Sequence, residues 1–557
     1  MFAQEERKKI DGELFGRMIV GGATNLQANM QEVNALNVFP IPDGDTGENM
    51  YLTIHGGLER LNACESEILS ERAEAVAQGM LLGARGNSGV ILSQLFYGFS
   101  EGLKGLENAD LEQVGRALLE GVKYAYGAVA HPVEGTILTV AREAAENACG
   151  ALTEDTTVEV FFLRYLDEMK KSLEKTPELL AVLKEAGVID SGGAGLVYIA
   201  EGFCKAIGGE EAQSELATSV SGGVKDLDFS RFDADTVMTF GYCTELLLQL
   251  QNAKTSVEDF SVSELISFLE TVGDSIVAFK TGSVVKIHVH TLTPWKVLAH
   301  CQEFGEFLTV KIENMTLQHN ETVAPQKTEF KKPKRARRKF ATVTVATGEG
   351  LQETFKEMGA DFVIYGGQTN NPSAEDFIEA FEEVNADFVF VLPNNGNVIL
   401  AANQAAQMYK DSDIRVIESK NVGQGYSALS MLDYGADDAD EIVAQMYESM
   451  SDTVTGMVAR SVRDTAMNGV GVQKDWYMGF TDHTMLVCQR EKVDTALALA
   501  EALNAGDKEF VLIVYGATAT GGEKEAFASR FAEQYPSVEL YEIEGGQEVY
   551  DFLIIVE

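Results

Sequence analysis

Residues 1 to about 208 repeat apolar positions at helical spacing with almost no convincing strand, which restricts this third of the chain to an all-helical domain. Eight candidate helices can be marked, over 13–36, 47–62, 71–103, 110–130, 136–149, 156–173, 176–186 and 194–207. A plain bundle needs only bland connections. Here the connections carry the unusual residues: Asn37-Val-Phe-Pro-Ile-Pro-Asp-Gly-Asp-Thr-Gly-Glu-Asn-Met50, Leu82-Gly-Ala-Arg-Gly-Asn-Ser-Gly89, His131-Pro-Val-Glu-Gly-Thr136 and Val188-Ile-Asp-Ser-Gly-Gly-Ala-Gly195.

In the first of these turns Asp43 and Asp45 flank a single glycine, Pro40 and Pro42 stiffen the approach, and Thr46 is expected to be the N-cap of the next helix. Hard oxygen ligands beside the open N–H groups of a helix start suit Mg²⁺ and phosphate together. An Asp-Gly turn that merely caps a helix is the competing reading. In the second turn, the backbone from Gly83 to Gly89 can cradle phosphates, with Asn87 and Ser88 adding hydrogen bonds; a close helix crossing that admits only small residues would look the same. Gly135-Thr136 and Asp190-Ser-Gly-Gly193 read as turn-plus-cap segments, although Asp190 could equally close a helix C-terminus.

Composition narrows the function classes. A chain of 557 residues exceeds what one core supports, so several domains are expected. The net charge of −42 argues against nucleic acid as a general partner and requires cations wherever a nucleotide binds. Six scattered cysteines with no CxxC pair argue against a disulfide framework. The N-terminus lacks a signal-peptide core and no apolar run is long enough to span a bilayer, so a cytoplasmic protein not integral to a membrane is expected.

After a Glu-, Gly- and Ser-rich linker at about 208–232, the pattern turns mixed, with strands expected at Val237–Leu248 and Ser283–Thr291 and a helix over 262–272. His288 and His290 are two apart in a strand and so share a face, where Cys243 from a neighbouring strand could join them on zinc. A satisfied polar patch with a buried cysteine is the alternative. Residues 331–339 carry seven positive charges and a proline, as a solvated interdomain linker would; a nucleic-acid or membrane-surface contact is the competing reading. From Phe340 a βαβ rhythm sets in, with strands at Phe340–Ala346, Phe362–Tyr365, Phe388–Leu392 and Ile414–Ile417, and later at Phe510–Tyr515 and Val549–Val556. Its strand-end loops, Gly366-Gly-Gln-Thr-Asn-Asn371 and Pro393-Asn-Asn-Gly-Asn397, lie where a ligand or partner docks on a parallel sheet. The glycine-rich Tyr515–Lys524 segment lacks the Lys-Ser/Thr of a P-loop and is rejected as a nucleotide site.

Taken together, Asn37–Met50, Gly83–Gly89, Pro132–Thr136 and Asp190–Gly193 resemble the ATP-binding subunit of the bacterial two-component fatty acid kinase. The first third is also similar to the nucleotide-binding domain of dihydroxyacetone kinases. The resemblance implies a multidomain fold: an N-terminal all-α eight-helix barrel (1–208), a middle α+β domain (233–325) and a C-terminal α/β domain (340–557). It implies ATP and two Mg²⁺ ions, with Asp43 and Asp45 as metal ligands and Asn37 where relatives carry a third aspartate. Thr46, Gly47, Asn49, Gly86, Asn87, Ser88, Gly89, Gly135, Thr136 and Asp190 would surround the nucleotide. Many relatives have threonine where this chain has Glu48. Cys243, His288 and His290 match the family's zinc site. The implied activity is phosphorylation of a fatty acid to an acyl phosphate for phospholipid synthesis. A fatty-acid-binding carrier protein, recruited by the C-terminal domain, presents the substrate; a homodimer is expected. A dihydroxyacetone-type kinase and a non-catalytic ATP-binding regulator are the rivals.

Overall fold

The computed structural model describes residues 7–37, 44–209, 242–257, 260–269, 271–281, 283–314, 337–367, 370–432, 438–462, 464–467, 469–482 and 484–557. The chain divides into two compact units, one made by 1–217 together with 334–557, the other by 218–333.

In the first unit the helical region opens with a short strand β1 (Lys9–Asp11), paired antiparallel to β2 (Asn108–Asp110), a pairing too short for periodicity to announce. Its helices are α1 (Gly12–Leu36), α2 (Thr46–Ala63), α3 (Leu69–Leu82), α4 (Gly86–Gly102), α5 (Leu111–Ala128), α6 (Ile137–Gly150), α7 (Val158–Leu179), the single-turn α8 (Ala181–Ala186) and α9 (Ser191–Ile207). The expected helix over 71–103 is therefore two helices, broken at Gly83-Ala-Arg85. The helices expected at 156–173 and 176–186 divide later than predicted, because α7 runs through Pro177. Proline cannot donate to the carbonyl four residues back, Leu173 O, and the Thr176 hydroxyl donates to it instead (2.7 Å).

The long helices pack in chain order, each on the next, and α9 returns along α1. That return is close: a Cβ on Gly202 would lie 2.2 Å from Gly21 O, so the two backbones touch where only glycine fits. Since successive helices alternate in direction, the starts of α2, α4, α6 and α9 gather at one end. Inside the ring, Phe15, Phe96, Phe99 and Phe203 border an apolar cavity of about 70 Å³.

The α/β region holds two sheets. A parallel sheet has the order β10 (Asp413–Val416), β9 (Ala386–Leu392), β7 (Arg338–Ala346), β8 (Phe362–Tyr365), as the βαβ rhythm predicts. Beyond Val454 the strands do not continue this parallel sheet. A second, six-stranded sheet runs β15 (Met485–Gln489), β14 (Tyr477–Phe480), β11 (Val454–Arg460), β18 (Phe552–Val556), β16 (Phe510–Tyr515), β17 (Glu539–Ile543), and only β16 and β17 pair parallel; β12 (Thr465–Met467) and β13 (Val470–Val472) form a separate antiparallel pair between β11 and β14 in the chain. The two regions share a core: Ala84 and Val90 of the helical region are buried in the apolar cluster of the parallel sheet.

The second unit is a four-stranded antiparallel sheet, β4 (Gly273–Thr281), β5 (Val284–Thr291), β3 (Tyr242–Leu250), β6 (Gly305–Asn314), with helices at Val262–Leu269 and Pro294–Gln302. The 331–336 part of the basic run lies outside the described residues; Arg337 bonds Asp387 through Nε (2.6 Å).

Candidate nucleotide and cation site

The four glycine-bearing turns converge. The starts of α2, α4, α6 and α9 surround a cavity of about 700 Å³, lined from the helical side by Asn37, Asp45, Thr46, Asn49, Asn87, Ser88, Thr136 and Asp190. Unpaired N–H groups and aligned peptide dipoles make each helix start partly positive, so four of them around one space favour a polyanion. The opposite wall comes from the α/β region, through Asn395, Asn397, Lys420, Asp482 and Tyr550. Asn395 and Asn397 lie in the loop after β9, and Lys420 follows β10, at the carboxyl ends of the parallel strands.

The acidic turn differs from expectation in one respect. The N-cap of α2 is Asp45, whose side chain does not cap, and Thr46 is the first helical residue. Asn34 at the end of α1 takes over the capping, its Oδ1 accepting the N–H groups of Gly47 (2.7 Å) and Glu48 (3.3 Å). The Asp45 carboxylate is thereby released from helix duty. It is buried, 6% exposed, and accepts a 2.5 Å hydrogen bond from Asn371 Nδ2, contributed by the loop after β8. Burial pushes its carboxyl up to about 6, against hydrogen bonds from Asn49 and Asn371 that favour the charged form. Asp43, its partner in the sequence reading, lies outside the described residues, as do 38–42.

Gly86 opens α4 with φ +58°, and a Cβ there would lie 2.7 Å from Asn49 Nδ2. Only glycine lets this turn sit against Asn49. The close helix crossing, the alternative for the Gly83–Gly89 segment, is present: Gly89 packs α4 on α2, a Cβ there meeting Thr53 Oγ1 at 2.4 Å. The same segment also borders the cavity. Asn87 Nδ2 donates to Asn397 Oδ1 across the cavity mouth (3.1 Å), and Ser88 faces the cavity. Thr46 is buried and accepts from Ser191 Oγ (3.3 Å). The Gly135 N–H is used inside its own turn, donating to Thr139 Oγ1 (2.8 Å), and Thr136 Oγ1 donates to Val133 O (2.8 Å).

Asp190 is a helix start, not a helix end. It caps α9, accepting from Gly193 N (2.6 Å), and also accepts from Ile137 N, so one carboxylate ties the starts of α6 and α9 together. Burial raises its pKa to about 6.

The donor set suits a hard divalent cation. Asp45 is a buried carboxylate with no ion-pair partner among the described residues, which calls for positive charge. Asn371 is 2% exposed, and its Oδ1 has no hydrogen-bond partner among the described residues. Lys420 is the one Lys or Arg among the described cavity-lining residues. Nothing in sequence periodicity distinguishes Asn371 or Lys420; the only signal was the polar, strand-ending loop that carries Asn371.

In the second unit, the β3–β5 register sets Cys243 opposite His290 and Glu245 opposite His288, while Asp274 of β4 also pairs with His290. The side chains of Cys243, His288 and His290 lie outside the described residues; among those described, no three His, Cys, Asp or Glu side chains are grouped to hold a metal.

Comparison with known proteins identifies the family. A DAK2 domain model matches residues 40–205, the helical region with its converging turns. The FakA-like models of fatty acid kinases, one for the middle domain and one for the C-terminal domain, match 239–322 and 341–557. The chain is 38% identical over 554 residues to the uncharacterized protein SAR1202 of Staphylococcus aureus (strain MRSA252), covering 99% of this chain and 100% of that protein. It is 38% identical over 556 residues to protein YloV of Bacillus subtilis (strain 168), with the same coverage. The chain belongs to the FakA-like family of fatty acid kinase proteins. Among solved structures, the dihydroxyacetone kinase from C. freundii in complex with AMP-PNP and Mg²⁺ is similar at 18% identity and TM-score 0.28, over 37% of this chain and 36% of that one. The Streptococcus pneumoniae fatty acid kinase B3 protein loaded with linoleic acid is similar at 13% identity and TM-score 0.27, over 39% of this chain and 99% of that one. No helix among the described residues is long and apolar enough to cross a membrane.

Proposed function

We propose that this protein transfers the γ-phosphoryl group of ATP to the carboxylate of a fatty acid, presented by a separate fatty-acid-binding protein, giving an acyl phosphate for phospholipid synthesis. The observation that carries this reading is the buried Asp45, freed from capping, at the meeting point of four helix starts in a cavity of about 700 Å³. Family membership supports a fatty acid as the acceptor.

A fatty acid carboxyl with a pKa of about 4–5 is already ionised at neutral pH, so no general base is required. Positioning and charge neutralisation then account for the rate in a loose transition state. Mg²⁺ held by Asp43 and Asp45 would offset the repulsion between carboxylate and triphosphate. The backbone at the start of α4, bare at Gly86, receives phosphate oxygens, while Asn87, Ser88, Thr46 and Asn49 fix their orientation. Lys420 approaches from the opposite wall, and the two walls together exclude water from an acyl phosphate that hydrolyses readily.

The test is to incubate the full chain with labelled ATP, Mg²⁺ and oleate, with and without a fatty-acid-binding protein from the same cell. Carrier-dependent acyl phosphate is the expected product, lost in Asp45→Ala. Turnover of small polyols without a carrier would instead make it a dihydroxyacetone-type kinase; ATP binding without turnover would make it a regulator. We further propose that Cys243, His288 and His290 bind zinc, a reading supported by the pairing of Cys243 with His290 and by His288 lying two residues along the same strand. Metal analysis of native protein and Cys243→Ala decides it: zinc absent from the native protein removes the site.

A further inference from the structure

Asn371 belongs to the α/β region, yet its side chain reaches the candidate cation ligand of the helical region. Its backbone is fixed first. Asn371 O accepts from Arg85 Nη1 (3.1 Å), Arg85 Nη2 lies 3.8 Å from Asp376 Oδ2, and Ala374 N donates to Ala84 O (3.3 Å). The helix that follows, Ala374–Val384, begins with a capping box between Ser373 and Asp376, which fixes the chain directly after Asn371. Its side chain is then set against Asp45, with Nδ2 on Asp45 Oδ2 at 2.5 Å.

The other half of this amide is the informative part. Oδ1 is buried, with no partner among the described residues, and a buried acceptor left unpaired is destabilising. An ionised Asp45 carboxylate draws the amide N–H toward itself, and the oxygen is left over. Turning the amide over would set oxygen against oxygen at close range. That is repulsive unless a cation sits between them. Mg²⁺ binds oxygen at about 2.0–2.1 Å in octahedral geometry, which puts neighbouring ligand atoms about 2.9 Å apart. Asn371 and Asp45 are already within that span.

We propose that Asn371 is a cation ligand: its amide turns over when Mg²⁺ arrives, and Oδ1 joins Asp45 on the ion. The α/β region then supplies part of the metal site and not only a docking surface. This inference rests on Asp45 being a cation ligand, as the proposed function has it.

The experiment titrates Mn²⁺ into the full chain, with a non-hydrolysable ATP analogue, and follows free Mn²⁺ by electron paramagnetic resonance. Asn371→Ala is expected to weaken Mn²⁺ binding by at least about tenfold. Loss of a supporting hydrogen bond alone can do as much, since partners of ligands matter by about 10–100-fold. Asn371→Asp separates the two. A ligand replaced by carboxylate keeps Mn²⁺ affinity within a few-fold of wild type or raises it, whereas a residue that only donates to Asp45 loses it, because two carboxylates face each other. Wild-type binding by Asn371→Ala, or Asn371→Asp as weak as Asn371→Ala, overturns the inference. Asp45→Ala is the control. If it loses Mn²⁺ while Asn371→Ala does not, only this inference fails; if it keeps Mn²⁺, the site reading fails with it.

Discussion

Gln404 offers the sharpest test of whether the two walls of the cavity act as one body. It sits in the helix Ile399–Met408 of the α/β region, 5% exposed, and reaches across to the helical region. Its Nε2 donates to Leu81 O (2.5 Å), and its Oε1 accepts from Gln94 Nε2 (2.8 Å) and from Ser93 Oγ (3.4 Å). Replacing it by leucine keeps most of the volume but removes all three bonds. Leu81 O is in the last turn of α3, where no intrahelical donor exists, so it stays unpaired unless water enters. Gln94 is half-buried and can turn to solvent; Ser93 Oγ keeps its bond to Val90 O (2.8 Å). One stranded acceptor and one lost hydrogen bond amount to about 2 kcal/mol of docking free energy. The Ala374 amide, bonded across to Ala84 O, reports the opening directly. Its hydrogen exchange should quicken by about 30-fold at 2 kcal/mol, if exchange is limited by this opening. An unchanged Ala374 exchange rate in Gln404→Leu would refute the claim that these bonds hold the regions together.

Three further outcomes follow from the same geometry. Gly86→Ala should cost about 1–2 kcal/mol from the left-handed backbone alone, plus the approach to Asn49, and should weaken nucleotide binding in calorimetry; wild-type values for both would show that the turn can relax. Lys420→Ala should raise the KM for ATP about five- to tenfold with folding intact, as expected for a cation contributing about 1 kcal/mol to a phosphate contact, and Lys420→Arg should restore much of it. Asp190 has a folded pKa of about 6 against an ordinary 3.8, so the folded state binds the extra proton between those values. The stability this group provides is greatest below about pH 4 and is lost as pH rises through 6. Asparagine caps a helix as well and carries no charge. Asp190→Asn should therefore gain on wild type by about 2 kcal/mol between pH 4.5 and 7.5, measured from denaturant midpoints; an equal gap at both pH values would contradict the burial argument.

Local grammar made much of the candidate site legible. Proline, glycine and capping residues declare where helices stop and start, and they marked all four turns that line the cavity. Periodicity identified the helical run and the parallel strands for the same reason, because both report nearest-neighbour geometry. What it could not report was convergence. Asn371 and Asp45 are 326 residues apart, and nothing in either segment names the other. The capping of α2 by Asn34 was hidden likewise, since Thr46 is a good cap by type and only the packing of α1 on α2 shows it is not needed. The largely antiparallel second sheet escaped because short buried strands carry no sign of their direction.

One feature of that second sheet bears on how the molecule is made. β18 (Phe552–Val556) is inserted between β11 and β16, pairing with both. A ribosome therefore emits two strands that cannot bond to each other and must wait for a third. Until residue 556 has emerged, both carry open N–H and C=O rows that invite pairing with other chains. The last strand made is thus the one that closes the sheet.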